Sequence, residues 1–481
     1  FPTRRSSDLS KVAFTHTGAK GVELWYIDVK TATAQRVPTA TALNATLGLP
    51  FVWARTSDRL IVSLLPAKKQ ALIDASEQLP DAPIIAISDG SKAPNRTFQD
   101  LLKNPSDEQN FIALATSELW DIDLRGKGKR FLPQAAIYSG WTFSPDGNYV
   151  LVTTVERPFS YVVPMSRFAQ KQTVYDRKGA LVSVVNEIAR SESLPKGFMA
   201  VRTGKREMGW RADAAATLFF VEARDGGDAN AKADVRDELF LWEAPFKQTP
   251  RAFMRLTQRY SDITWGNDSL AIVSDYWYDT RNMRMYFVDP RRDNSSSARK
   301  IEERNYQDVY SDAGTFATQL NQYGRSALII KDGKTLLRIG EGYTKTGKFP
   351  FVASLDIATL KTTELYRCTY TDRVETLMSF IDAEKGTLLT MQQSPTEYPN
   401  YFIRDISAKD KLQQITFNKN PFAALEKVDK RLLKYKRKDG VELSGTLYLP
   451  AGYDGKTKLP LLIWAYPREY KDKNSAGQST Q

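Results

Sequence analysis

Four times in this chain a tryptophan is followed by a polar turn and then by a run of apolar, strand-forming residues. The clearest copy is Trp141-Thr-Phe-Ser-Pro-Asp-Gly-Asn-Tyr-Val-Leu-Val152, whose Ser144-Pro145-Asp146-Gly147 supplies a φ-restricted proline and a glycine that accepts positive φ. Trp53, Trp210 and Trp265 open the other copies, ahead of Arg59–Ser63, Thr217–Val221 and Ser269–Val273. A second unit reads Glu23-Leu-Trp-Tyr-Ile-Asp-Val29, Glu118-Leu-Trp-Asp-Ile-Asp-Leu124 and Glu238-Leu-Phe-Leu-Trp-Glu243. Its looser copies are Met283–Asp289, Phe351–Asp356, Tyr401–Asp405 and Tyr161–Pro164. Copies starting at 118 and 161, 238 and 283, and 351 and 401 lie 43, 45 and 50 residues apart. A four-stranded propeller blade takes ~40–50 residues. The expected fold class is therefore all-β, a β-propeller of about seven blades over residues 10–420. A pair of sandwiches would not repeat a strand-turn-strand unit at that interval. Helical signals are confined to Ala67–Glu77, Pro105–Glu108 and Lys419–Lys427, the first opening a long insertion.

Composition narrows the chemistry. A single histidine, His16, and a single cysteine, Cys368, exclude a multi-His or Cys-rich metal site and any intrachain disulfide. No metal and no cofactor is expected. Gly226-Gly227 and Gly340-Glu-Gly342 lack the strand-to-helix context of a phosphate cradle and read as turns. No apolar run approaches the ~20 residues of a membrane span. The net charge of +12 is scattered along the chain rather than massed, so nucleic acid is not the expected partner. A solvated surface accounts for it, as does a cleft of one sign that concentrates acidic substrates. His16 lies in the strand pattern Val12–Thr17 and reads as structural. Asn95-Arg-Thr97 has the form of a glycosylation sequon.

Both ends look foreign to the fold. Phe1–Leu9 carries no period and reads as joined or disordered sequence. Any leader would precede it, and a periplasmic or secreted place is expected ahead of a cytoplasmic one. After a linker at 421–430, residues 431–481 change character. Lys430–Lys438 and Val441–Pro450 flank Asp439-Gly440, a hairpin turn. Leu459-Pro-Leu-Leu-Ile-Trp-Ala465 reads as a buried strand, which needs neighbours on both sides, so the chain is expected to stop in mid-domain.

Lys438–Pro450 followed by Leu459–Tyr466 resembles the opening of the catalytic α/β-hydrolase domain in the prolyl oligopeptidase family of serine peptidases. Pro467–Lys473, Gly209–Asp213, Val221–Asp228 and Arg259–Ser269 are similar to its glutamyl-peptidase branch. The resemblance implies a propeller gating a peptidase that cuts short peptides, with cleavage after acidic residues. It places Tyr466 where such proteins carry an oxyanion-hole tyrosine; the alternative is an aromatic closing the strand end. Arg468 and Lys471 are the candidates for pairing a substrate carboxylate, or else a solvated basic loop. No Gly-x-Ser-x-Gly occurs in the 481 residues, so the serine, acid and base are expected beyond residue 481 and the chain alone is expected to be inactive. A non-catalytic scaffold that binds protein partners and an acyl hydrolase of non-peptide esters are the rival readings. Oligomeric state is not legible.

Overall fold

The computed structural model describes residues 3–6, 8–74, 98–408, 411–422, 425–466 and 468–478. Seven antiparallel sheets follow one another, each made from consecutive strands, over residues 3–37, 51–130, 138–188, 206–256, 259–305, 315–367 and 374–414. Six have four strands and the sixth has five. This is the blade arrangement of a β-propeller, the class the repeats indicated.

The repeats have a physical reason. In the second strand of blade two, Arg59–Leu64, Leu60, Val62 and Leu64 pack with Ala13 and Leu24 of blade one. Ile61 points the other way, into a cluster with Trp141 and Val150 of blade three. A strand covered on both faces needs apolar residues at nearly every position, which is why these runs read as continuous. The tryptophans fix each blade to the one before. Trp53 donates its indole N–H to the Arg4 carbonyl at 3.0 Å, Trp141 to Ile61 at 3.3 Å, and Trp210 to Thr142 at 3.1 Å. A large ring with one polar edge can fill the inter-blade space while satisfying a carbonyl there. Gly147 takes the positive φ its turn requires, 77°.

Several expectations change. Thr3–Arg5, set aside as periodless, is the first strand of blade one, pairing with Val12–Phe14. Three residues are too few to show a period. The copy at Tyr161–Pro164 is irregular, and the third strand of blade three is Ala169–Asp176. Pro164 has no N–H to give a ladder. Helix α1 runs Pro105–Ala115, longer than the four residues expected. Asn104 caps it, accepting from the Asp107 N–H at 2.8 Å, and Phe111 and Ile112 carry it onto Phe159 and Phe168. Residues 67–74 are not helical, nor are the described residues of Lys419–Lys427 an α-helix. The remainder of Ala67–Glu77 and the sequon Asn95–Thr97 lie outside the described residues.

Contacts gather the chain into two compact units. The first is Phe1–Tyr260 with Asp289–Ser297 and Leu320–Arg325; the second is Ser261–Val288, Ala298–Gln319 and Ser326–Gln481. Among the described residues no helix is long and apolar enough to cross a membrane.

Candidate functional site

The hairpin after the blades forms as its turn chemistry dictates. Asp429–Lys436 pairs with Glu442–Leu449, and Arg437 grips the Asp439 carboxylate with two bonds of 2.9 and 2.6 Å across the Gly440 turn. None of its strand residues is buried, and Leu432, Leu433, Tyr435 and Tyr448 are exposed, Tyr448 at 61%. The expected strand Leu459–Ala465 is absent: its residues join no ladder, and Leu462 and Trp464 are each 92% exposed. An extended segment becomes a strand only when a neighbour accepts and donates along its edge. Tyr466, at the end of this tract, is likewise exposed.

Pro467 lies outside the described residues. Residues 468–478 form a strap seated on blade five. The Glu469 carboxylate accepts from the Tyr278 hydroxyl at 3.0 Å and lies 3.6 Å from Arg281. Its carbonyl accepts from Gln307 at 2.6 Å. Asp472 caps the short helix α2, Lys473–Ala476, and accepts from Asn305 at 2.8 Å. Gln478 closes the strap, accepting from the Val309 N–H at 2.8 Å and donating to Asp308 at 2.6 Å. Arg281 is 1% exposed, at a φ of 57°, with its guanidinium 3.7 Å from the Tyr278 ring centre. Burial opposes its charge, but a side-chain hydrogen bond with Tyr278 and the nearby Tyr306 and Glu469 outweigh that and raise its pKa. Arg468 and Lys471 are exposed, and the Lys471 ammonium lies 3.8 Å from Glu469 of its own chain. The structure thus brings the strap's acidic and amide groups to blade five and leaves Tyr466, Arg468 and Lys471 at the surface. Sequence reasoning missed Arg281, whose turn setting gives no sign that it is buried.

A second feature belongs to the first unit. A cleft of about 480 Å³ opens along the first strands of blades one, two and three and the turn at Tyr323–Arg325. Arg4, Arg5, Arg55 and Arg325 line it, together with Trp53, Trp141, Phe143 and Tyr323. The Arg55 guanidinium donates to the Pro145 carbonyl at 2.8 Å and lies 5.4 Å from the Tyr323 ring centre. Arg325 donates to the Phe143 carbonyl at 2.7 Å, and burial lowers its pKa. His16 is elsewhere in that unit, on Lys11–Gly18, 3.5 Å from Glu23. In the second unit Cys368 is buried, its thiol pushed up to about 11 by burial, with Glu375 adding to the rise.

No protein-family model matches the chain. Two plant proteins named "Probable glutamyl endopeptidase, chloroplastic" are similar to it. The one from Oryza sativa subsp. japonica is 34% identical over 476 residues, 95% of this chain and 50% of its own length. The one from Arabidopsis thaliana is 34% identical over 483 residues, 95% of this chain and 49% of its own. The chain spans about half the length of the curated relatives it matches. Among solved structures, an acylaminoacyl peptidase in complex with Z-Gly-Gly-Phe-chloromethyl ketone aligns at 11% identity and a TM-score of 0.44, over 95% of this chain and 58% of that one. Its seven successive blades make the described chain a β-propeller. Over 95% of its length it is similar to proteins named as probable glutamyl endopeptidases.

Proposed function

We propose that this chain is the propeller and the opening hairpin of a longer serine peptidase that hydrolyses short peptides, with a preference for acidic residues. The observation that carries the reading is the 34% identity sustained over 95% of the chain. The nucleophile, acid and base would come from residues beyond this sequence, since it holds no Gly-x-Ser-x-Gly. The blades would admit small, flexible substrates and exclude folded proteins. In that setting Leu459–Tyr466 gains the neighbouring strands it needs, and Tyr466 donates its phenol hydrogen to the oxyanion of the tetrahedral intermediate. Arg468 and Lys471 would lie beside it as carboxylate partners for the substrate.

The test is to express the open reading frame beyond codon 481 and assay it on short acidic peptides, with a serine-reactive fluorophosphonate label alongside. Hydrolysis and labelling are expected. An extended product without a nucleophile elbow and without labelling would leave a binding scaffold as the function. In the active protein Tyr466→Phe keeps the ring and removes one donor, so kcat should fall about 10²–10³-fold with KM little changed. Unchanged kcat would remove Tyr466 from the site.

A further inference from the structure

The strap is held on blade five in a way that fixes its backbone. Asn282 lies opposite Asn305 in the blade, which brings the turn at 278–281 and the loop at 305–310 to the same end of the sheet. There Gln307 donates its side-chain amide to the Glu469 carbonyl at 2.6 Å and accepts from the Lys471 N–H at 3.4 Å. Those two groups flank residue 470, so the amide grips one edge of the chain as a neighbouring strand would. Such a grip sets position and direction without reading side chains. Register comes from the acidic groups to either side. Glu469 meets the buried Arg281 and the Tyr278 hydroxyl, and Asp472 accepts from Asn305, which also donates to the Ser475 hydroxyl at 3.3 Å.

We propose that this end of blade five positions Tyr466 for the reaction, with Gln307, Arg281 and Asn305 as positioning residues that act through the strap. Tyr466 stands three residues before Glu469, and at ~3.3–3.6 Å per residue an extended chain keeps it within roughly 11 Å of the clamp. On its other side Leu459–Ala465 joins no ladder, so the strap supplies a fixed point that the tract lacks. An oxyanion donor works because it is held ready, and a displacement of ~1 Å can cost about 10²-fold in rate. The inference rests on the peptidase reading for the chemistry of Tyr466 and adds a second task for the propeller: it governs turnover as well as access.

Two measurements test it. In the extended, active protein, Gln307→Ala should lower kcat about tenfold with KM held, because positioning is lost while the donor itself remains. Added to Tyr466→Phe, it should cost nothing more, since the hydroxyl it serves has gone. Asp472→Ala, made on the strap so that no blade residue changes, should act in the same direction. Unchanged kcat in both variants would overturn the proposal, as would losses that multiply in the Tyr466→Phe background. The second measurement needs no activity and uses the 481-residue chain. A nitroxide attached at Tyr466→Cys, with Cys368 buried and unlabelled, should gain mobility about twofold by electron paramagnetic resonance when Gln307→Ala or Asp472→Ala is added. Mobility indifferent to both would overturn the hold on Tyr466. An extended form that cleaves nothing, beside a mobility that responds, would sink the peptidase reading alone. An extended form that cleaves with full kcat in both clamp variants would sink the positioning role alone.

Discussion

Leu60 in blade two and Leu462 after the hairpin are the same residue in the same kind of apolar run, yet one is fully buried and the other is 92% exposed. The blades and the segment after residue 429 differ less in composition than in what lies beside them. Each blade strand finds a sheet neighbour, and the second strand of blade two packs on blade one with one face and on blade three with the other. The tract Leu459–Tyr466 finds neither, and the strap that follows is held by polar contacts alone. Apolar sequence creates a demand for burial, and only partners meet it.

The sharpest contrast is between charge pairs. In blade four Asp237 is fully buried, 3.1 Å from Arg259 and also paired to Arg206, while it accepts from the Tyr260 N–H at 2.8 Å. Asp237→Ala takes a buried carboxylate from Arg206 and from Arg259, which keeps Asp225 at 2.8 Å, and should cost about 3–5 kcal/mol and move the urea midpoint markedly downwards. Asp439→Ala breaks the exposed Arg437 pair of the hairpin and should leave the midpoint where it was. Similar shifts for the two would mean that the hairpin is as integrated as the blades.

The strap gives a smaller effect. With Arg281→Met, Glu469 loses its buried cation on blade five, and amide hydrogen exchange over residues 469–478 should rise towards that of 459–466 while the blade strands keep their protection. Exchange already equal in the two segments of the unaltered chain would show that the strap is not seated.

The smallest effect is local. Backbone N–H groups of Thr457 and Lys456, with the Thr457 hydroxyl, hold the Asp454 carboxyl down to about 2. Because its folded value lies below the ordinary one of ~3.9, the turn's stabilisation is present above that value and is lost as pH falls through about 2. Carboxyl NMR titration should find that midpoint in the tail even though no blade covers it. A midpoint near the ordinary value would show that the turn is not populated.

The sequence made the blades legible because their constraint is periodic. Tryptophan, turn and apolar run recur wherever one blade must close on the last, and the acidic-ended third strand was read correctly in every blade except the third. There Ala169–Asp176 begins Ala-Gln-Lys-Gln, a polar start that hides a strand. The site was less legible. Glu469, Asp472 and Gln478 depend on Tyr278, Asn305 and Asp308, partners some 160–190 residues away that no local pattern announces. The cleft arginines come from three separate stretches, and arginine in sequence reads as surface. The placing of Tyr466, Arg468 and Lys471 came from resemblance, not from any local rule.

The lone thiol of Cys368 has a practical consequence. Buried and protonated at neutral pH, it is a poor nucleophile and is sheltered from oxidants. The chain is therefore silent towards thiol reagents in its native state. A cysteine introduced on the strap or at the cleft rim would be the single fast-reacting position and would report that region without interference. Slow reaction of Cys368 itself would time the opening of the sheet edge that covers it, a clock already built into the sixth blade.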